Sequence, residues 1–200
     1  MQNTLNRISY NKIVEEWAKA RNSSFVSKLV VDFAEKVNPE GDILDIGCGT
    51  GYPLTHYLCG KKFQVAGIDA SEKMIEIAQS YQLPNAEFVC CDFFDFVSNK
   101  KFDGILAWDS FFHFPKEKQK DIYSKVAGLL NPGGYLLFTH GNSDDEHADT
   151  MMGETFYYSC LPKEEVCKLL ITNGFEIEYT YDDFVEKDTH RVLVVLAKRN

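Results

Sequence analysis

The 200-residue chain has 44% hydrophobic and 26% charged residues, which suits one ordinary globular domain with a sizeable core. Its formal charge of −9, from 21 basic against 30 acidic residues, argues against a nucleic-acid partner, because phosphate backbones select basic surfaces. No apolar run approaches the ~18 residues of a membrane span, and Met1–Arg7 lacks the apolar core of a signal peptide, so a cytoplasmic protein without a membrane partner is expected.

Two helical patterns come first, with Ile13, Val14, Trp17 and Ala18 on one stripe and Phe25, Leu29, Phe33 and Val37 on another. Together they suggest an N-terminal helical cap over residues 1–38. Asn22-Ser23-Ser24 separates them, with Ser24 the expected N-cap. Strands and helices then alternate: strand 42–46, helix 53–60, strand 63–69, helix 72–80, strand 86–91, strand 102–107, helix 117–130 and strand 134–140. Ser71 is placed to cap the helix at 72, with Glu72 favourable in its first turn, and Asn131-Pro-Gly-Gly134 stops the helix at 130. Such alternation implies an α/β fold with a parallel sheet covered on both faces. After helix 162–173 the rhythm changes. Phe175–Tyr181 and the apolar run within His190–Lys198 pair as a hairpin across Asp182–Thr189, giving a mostly parallel sheet an antiparallel end. No linker divides residues 1–200.

The most informative stretch is Ile43-Leu-Asp-Ile-Gly-Cys-Gly-Thr-Gly-Tyr-Pro53. A buried strand carrying Asp45 enters a turn with glycines at 47, 49 and 51. Such glycines bring backbone N–H groups close to a ligand at the positive end of a helix. A carboxylate beside exposed N–H groups suits a ligand bearing both an ammonium and polar oxygens. The nicotinamide-dinucleotide fingerprint requires a further glycine where Tyr52 stands, so an NAD(P)-dependent oxidoreductase fits less well. Asp45, Asp69 and Asp92 close three successive strands. An acid ending the second strand sits where two charge-assisted hydrogen bonds grip a ribose diol, and Asp92 can accept from the exocyclic amine of a base walled by Phe93. Six cysteines (Cys48, Cys59, Cys90, Cys91, Cys160, Cys167) form no zinc-type Cys-x-x-Cys pair. They read as reduced structural thiols, with no metal expected.

In this combination the chain resembles the class I S-adenosylmethionine-dependent methyltransferases. Ile43–Pro53 is similar to their glycine motif, Ile68-Asp69 to their ribose acid and Cys91-Asp92-Phe93 to their adenine-side motif. Phe102–Trp108 resembles the fourth strand and Leu129–Leu137 the hinge before the fifth. The resemblance covers nearly the whole chain. It implies a seven-stranded, Rossmann-like sheet with an antiparallel last strand, and S-adenosyl-L-methionine as cofactor with S-adenosyl-L-homocysteine as product. It places Asp45, Gly47, Cys48, Gly49 and Gly51 at the methionine end, Asp69 and Ala70 at the ribose, and Cys91, Asp92, Phe93 and Met74 at the adenine. It also implies that Tyr10, Trp17 and Arg21 close over the cofactor, with the Arg21 guanidinium facing its carboxylate.

A sulfonium is an activated methyl donor, so alignment supplies most of the catalysis, and only a protonated nucleophile needs a base. The segment after strand 102–107, Ala107-Trp-Asp-Ser-Phe-Phe-His-Phe-Pro115, lacks the Asn/Asp-Pro-Pro-aromatic signature of enzymes acting on nucleobase or glutamine amino groups. Trp108, Asp109 and Ser110 should lie beside the transferring methyl, with His113 and His140 the base candidates. Residues 142–160 carry five acids, no lysine or arginine, and Tyr157 and Tyr158. They read as a structureless lid over the acceptor that disfavours anionic acceptors, with Tyr157 a further candidate at the pocket. The expected activity is methyl transfer to an O, N or S nucleophile of a small molecule, the alternative being a non-catalytic binder of the same cofactor.

Overall fold

A sheet with an apolar layer on each face organises the chain. The computed structural model describes residues 2–22 and 25–200. Helices α1 (Gln2–Asn22) and α2 (Lys28–Lys36) precede β1 (Asp42–Ile46), α3 (Leu54–Gly60), β2 (Gln64–Asp69), α4 (Glu72–Ser80), β3 (Ala86–Cys90) and β4 (Phe102–Ala107). Two short 3₁₀ turns, Phe111–His113 and Lys116–Lys118, lead to α5 (Asp121–Leu129) and β5 (Leu130–His140). Then come β6 (Glu146–Met151), β7 (Glu154–Ser159), α6 (Lys163–Thr172), β8 (Phe175–Glu186) and β9 (Thr189–Arg199). The seven-stranded sheet has the order β3-β2-β1-β4-β5-β9-β8. Strands β1 to β5 pair in parallel, and β9 runs antiparallel to both β5 and β8. The expected α/β, mostly parallel sheet with an antiparallel last strand is therefore observed.

One apolar layer joins Leu44, Ile105 and Leu136 to Val126 of α5 and Leu170 of α6. The other joins Ile43, Leu106 and Leu137 to Phe33 of α2 and Leu58 of α3. Helix α2 is thus part of a sheet-covering layer, and of the expected 1–38 cap only α1 lies over the strand ends. Ser24 lies outside the described residues. The cap of α2 is Ser27, whose Oγ accepts from the Leu29 N–H at 3.3 Å. Ser71 caps α4 as expected, its Oγ accepting from Met74 N–H at 3.2 Å.

Two expectations are corrected. Helix α5 starts at Asp121 rather than 117, because Gln119 is fully buried and its amide is drawn inward to the carbonyls of Phe111, Phe114 and Ser159. The segment 142–160 is not a structureless loop: its centre is the antiparallel hairpin β6–β7. Met152 and Gly153 turn it with φ of 51° and 79°, the left-handed pair that a two-residue hairpin loop needs. The β8–β9 hairpin is also longer than expected, turning at Lys187 and Asp188. Among the described residues no helix is long and apolar enough to cross a membrane.

Candidate functional site

Strand β1 lies between β2 and β4, so the chain order reverses there and the carboxyl ends of the strands open into a crevice, the usual ligand position in such sheets. At this point lies a cleft of about 1020 Å³, counting its open mouth. Its floor is the glycine turn. Gly47 and Cys48 N–H groups both donate to Ile68 O, at 2.8 and 3.1 Å, which ties the turn to β2. Gly47 has φ +75°, and a Cβ there would come within 2.5 Å of Ser110 Cβ, so no larger residue fits.

Three acids reach this floor. Asp45 is 3% exposed, and its Oδ2 accepts from Thr55 Oγ1 at 2.6 Å. Burial pushes its pKa up to about 6, against the Thr55 hydrogen bond, with Asp69 adding to the rise and Arg21 opposing it. Asp69 Oδ1 accepts from Ser71 N–H at 2.8 Å and Oδ2 from Gly49 N–H at 3.0 Å. Burial raises its pKa while these backbone donors hold it down. Asp92 lines the cleft and also closes its own turn, accepting from Phe94 N–H at 2.8 Å. Phe93 is buried and lies parallel to Phe114, ring centres 5.3 Å apart.

The roof is α1, which brings Tyr10, Trp17 and Arg21 over the cleft. Arg21 lies 5.3 Å from the Trp17 ring centre and forms no ion pair with another described residue. His113 enters the cleft from the 3₁₀ turn after β4. Its Nδ1 is 3.1 Å from Tyr157 O and its Nε2 is 2.9 Å from Tyr10 Oη. Asn6 Nδ2, 3.2 Å from Nδ1, has the carbonyls of Tyr157 and His113 to donate to, so Nδ1 carries the proton toward the Tyr157 carbonyl, which can only accept, and Nε2 accepts from the Tyr10 hydroxyl. Desolvation depresses the His113 pKa to about 4, more strongly than the Tyr157 carbonyl and Asp109 raise it. The imidazole is neutral near pH 7.

Of the residues expected at the cofactor, Asp45, Gly47, Cys48, Gly49, Asp69, Ala70, Met74, Cys91, Asp92, Phe93 and Trp108 all line this one cleft with Tyr10, Trp17 and Arg21. Gly51 does not: a Cβ there would meet the Phe88 ring at 3.0 Å, so it serves packing behind the turn. His140 is also outside. It is 2% exposed, with Nε2 3.0 Å from Gln119 Oε1 and Nδ1 2.9 Å from Gly141 O, and the expectation of a base there is corrected. Tyr157 likewise points away, its hydroxyl donating to Glu146 Oε2 at 2.6 Å, while its backbone carbonyl orients His113. The sequence reading missed Asn6 and Phe114, which also line the cleft. Asn6 Oδ1 accepts from Tyr157 N–H at 2.7 Å and its Nδ2 donates to Tyr157 O at 2.9 Å. Nothing local marks an asparagine in a helix for that task. All six cysteines are free thiols.

A methyltransferase-domain family matches residues 43–134. The chain is 28% identical over 131 residues to a 24-methylenesterol C-methyltransferase of Arabidopsis thaliana, covering 59% of this chain and 36% of that protein. It is 29% identical over 126 residues to a ubiquinone biosynthesis O-methyltransferase of Coxiella burnetii, covering 60% and 53%. The chain therefore spans from about a third to about half the length of these curated relatives. The magnesium protoporphyrin IX methyltransferase of Synechocystis PCC 6803, solved with bound SAM, has the same fold at a TM-score of 0.76 and 22% identity, over 100% of this chain and 98% of that one. The glycine turn, the strand-end acids and the sheet order thus accompany a match to a methyltransferase-domain family over residues 43–134, and the chain shares the fold of the solved methyltransferase.

Proposed function

We propose that this chain binds S-adenosyl-L-methionine and transfers its methyl group to an O, N or S nucleophile of a small molecule, releasing S-adenosyl-L-homocysteine. The observation that carries this reading is the convergence of Asp45, Asp69, Asp92 and the Gly47–Gly49 backbone on one cleft roofed by an arginine. The residues suit the cofactor. Asp69 ends β2 with its carboxylate fixed by backbone donors of Gly49 and Ser71, at the strand end where an acid meets a ribose diol. Buried Asp45, its pKa near 6, gains a partner when an ammonium arrives. Arg21 is placed to receive a carboxylate, and Phe93 and Met74 to enclose the adenine.

The bound sulfonium supplies an already activated methyl, so the protein's task is alignment and, for a protonated nucleophile, removal of one proton. Tyr10 and His113 can perform the second. The acceptor's proton passes to Tyr10 Oη as the Tyr10 proton passes to His113 Nε2, while Nδ1–H stays on Tyr157 O. Burial disfavours the resulting imidazolium, so this route serves an acceptor whose proton becomes strongly acidic as the methyl is transferred. The acids of β6, Glu146 and Asp149, are exposed on the hairpin and favour a neutral or cationic acceptor.

Thermal shift and calorimetry test the cofactor, and methyl-labelled S-adenosyl-L-methionine incubated with a metabolite extract tests the transfer. Stabilisation by S-adenosyl-L-homocysteine and not by NAD(P), with label in a small molecule, is expected. Binding without label transfer would reduce the protein to a binder, and stabilisation by the dinucleotide alone would refute the reading.

A further inference from the structure

The Ser110 hydroxyl stands apart from its surroundings. Ser110 lines the cleft, is 7% exposed, and its Oγ has no hydrogen-bond partner. An unpaired buried hydroxyl is costly and calls for an explanation such as an absent ligand. Its location indicates which ligand atoms: Ser110 Oγ would lie 3.3 Å from a Cβ built on Gly47, directly over the first glycine of the turn and beside the strand end that carries Asp45.

The residue before it is held in an unusual conformation. Asp109 has φ +57°, a left-handed backbone that side chains disfavour and that clusters at functional sites. Arg191 of β9 fixes it with two hydrogen bonds, Nε to Oδ1 and Nη2 to Oδ2, both 2.9 Å. The Asp109 N–H donates to Thr139 Oγ1 at 2.8 Å. The Arg191 guanidinium also lies 4.5 Å from the Trp108 ring centre and is 9% exposed. This clamp sets the direction in which the chain leaves β4, and so where Ser110 points.

We propose that Ser110 Oγ is a ligand of the cofactor's amino-acid end, and that Arg191, through Asp109, is the positioning residue that holds it there. This rests on the cofactor reading above. A hydroxyl can donate to a carboxylate or accept from an ammonium, so the methionine moiety satisfies the orphaned group.

Calorimetry with two probes tests it: S-adenosyl-L-homocysteine, and 5′-methylthioadenosine, which keeps the nucleoside but lacks the amino acid. For Ser110→Ala, affinity for the first should fall about tenfold and for the second stay within twofold, while the ligand-free protein melts no lower than the wild type. Arg191→Lys, which keeps the charge but loses the paired bonds, should show the same selective loss to a smaller degree. If Ser110→Ala binds S-adenosyl-L-homocysteine as tightly as wild type, or loses both ligands equally, the assignment is overturned. If Ser110→Ala behaves as expected and Arg191→Lys loses nothing selectively, the positioning role falls. Wild-type protein that binds neither probe would instead overturn the cofactor reading itself.

Discussion

The floor and the roof of the cleft are built in opposite ways. The floor comes from one stretch of chain between β1 and the turn after β3, and its key hydrogen bonds join near neighbours: Asp45 to Thr55, Gly49 to Asp69, Ser71 to Asp69. The roof and the rim around His113 are assembled from distant parts. Tyr10 meets His113 across 103 positions, and Asn6 meets Tyr157 across 151. A floor of local contacts can be preserved while the rim is rebuilt for a different acceptor. This is the division expected where one cofactor serves many substrates.

Substitutions on the two sides should therefore separate binding from turnover. The largest expected effect is on the floor. Asp69→Ala removes the acceptor of two charge-assisted hydrogen bonds, worth about 1.5–3 kcal/mol each, so affinity for S-adenosyl-L-homocysteine by calorimetry should drop by at least about 100-fold; an unchanged affinity would refute the ribose assignment. On the rim, His113→Gln should lower turnover on a protonated acceptor by about 100-fold while cofactor affinity moves less than about threefold. Full activity would remove His113 as the proton sink.

A pH titration comes next. Asp45 is raised from 3.8 to about 6 by burial, and an ammonium-bearing ligand prefers its ionised form. Affinity should therefore be lost as pH falls through 6, by about tenfold between pH 7 and pH 5. A flat profile would mean that Asp45 does not face the ammonium. The smallest effect belongs to Asn6→Ala. It leaves the Tyr157 N–H without its partner and the carbonyl with His113 alone, at a cost of about 1–3 kcal/mol, lowering the melting temperature by several degrees and slowing turnover while sparing cofactor affinity.

The same contrast explains what the sequence made legible. The floor could be read because its signals are local: an apolar strand broken by one acid, glycines at alternate positions, and acids at successive strand ends. The parallel sheet followed from the alternation of strands and helices, and Ser71 and the tail hairpin from their own neighbours. The rim was legible in part. His113 was singled out by position, but its partner Tyr10 was assigned to the cofactor, and Asn6 gave no signal because a backbone contact across the fold leaves none. The hairpin β6–β7 was obscured by its acids. No alternation marks it either: β6 is exposed almost throughout, and in β7 the adjacent Phe156 and Tyr157 are both buried. His140 and Tyr157 were credited for their chemistry, yet burial and intramolecular partners turn them to structural use.

Strand β7 pairs on one side with β6 alone, and side chains of α1 finish its other side. Asn6 offers an amide that imitates a strand's donor and acceptor at Tyr157, and Ser9, one helical turn later, donates to Thr155 O at 2.6 Å. An uncovered strand invites pairing with foreign chains; here the leading helix shields that border and, through the same asparagine, the carbonyl that orients the imidazole. Shielding against aggregation and alignment for catalysis thus depend on a single seam, and a change that frees the helix would forfeit both at once.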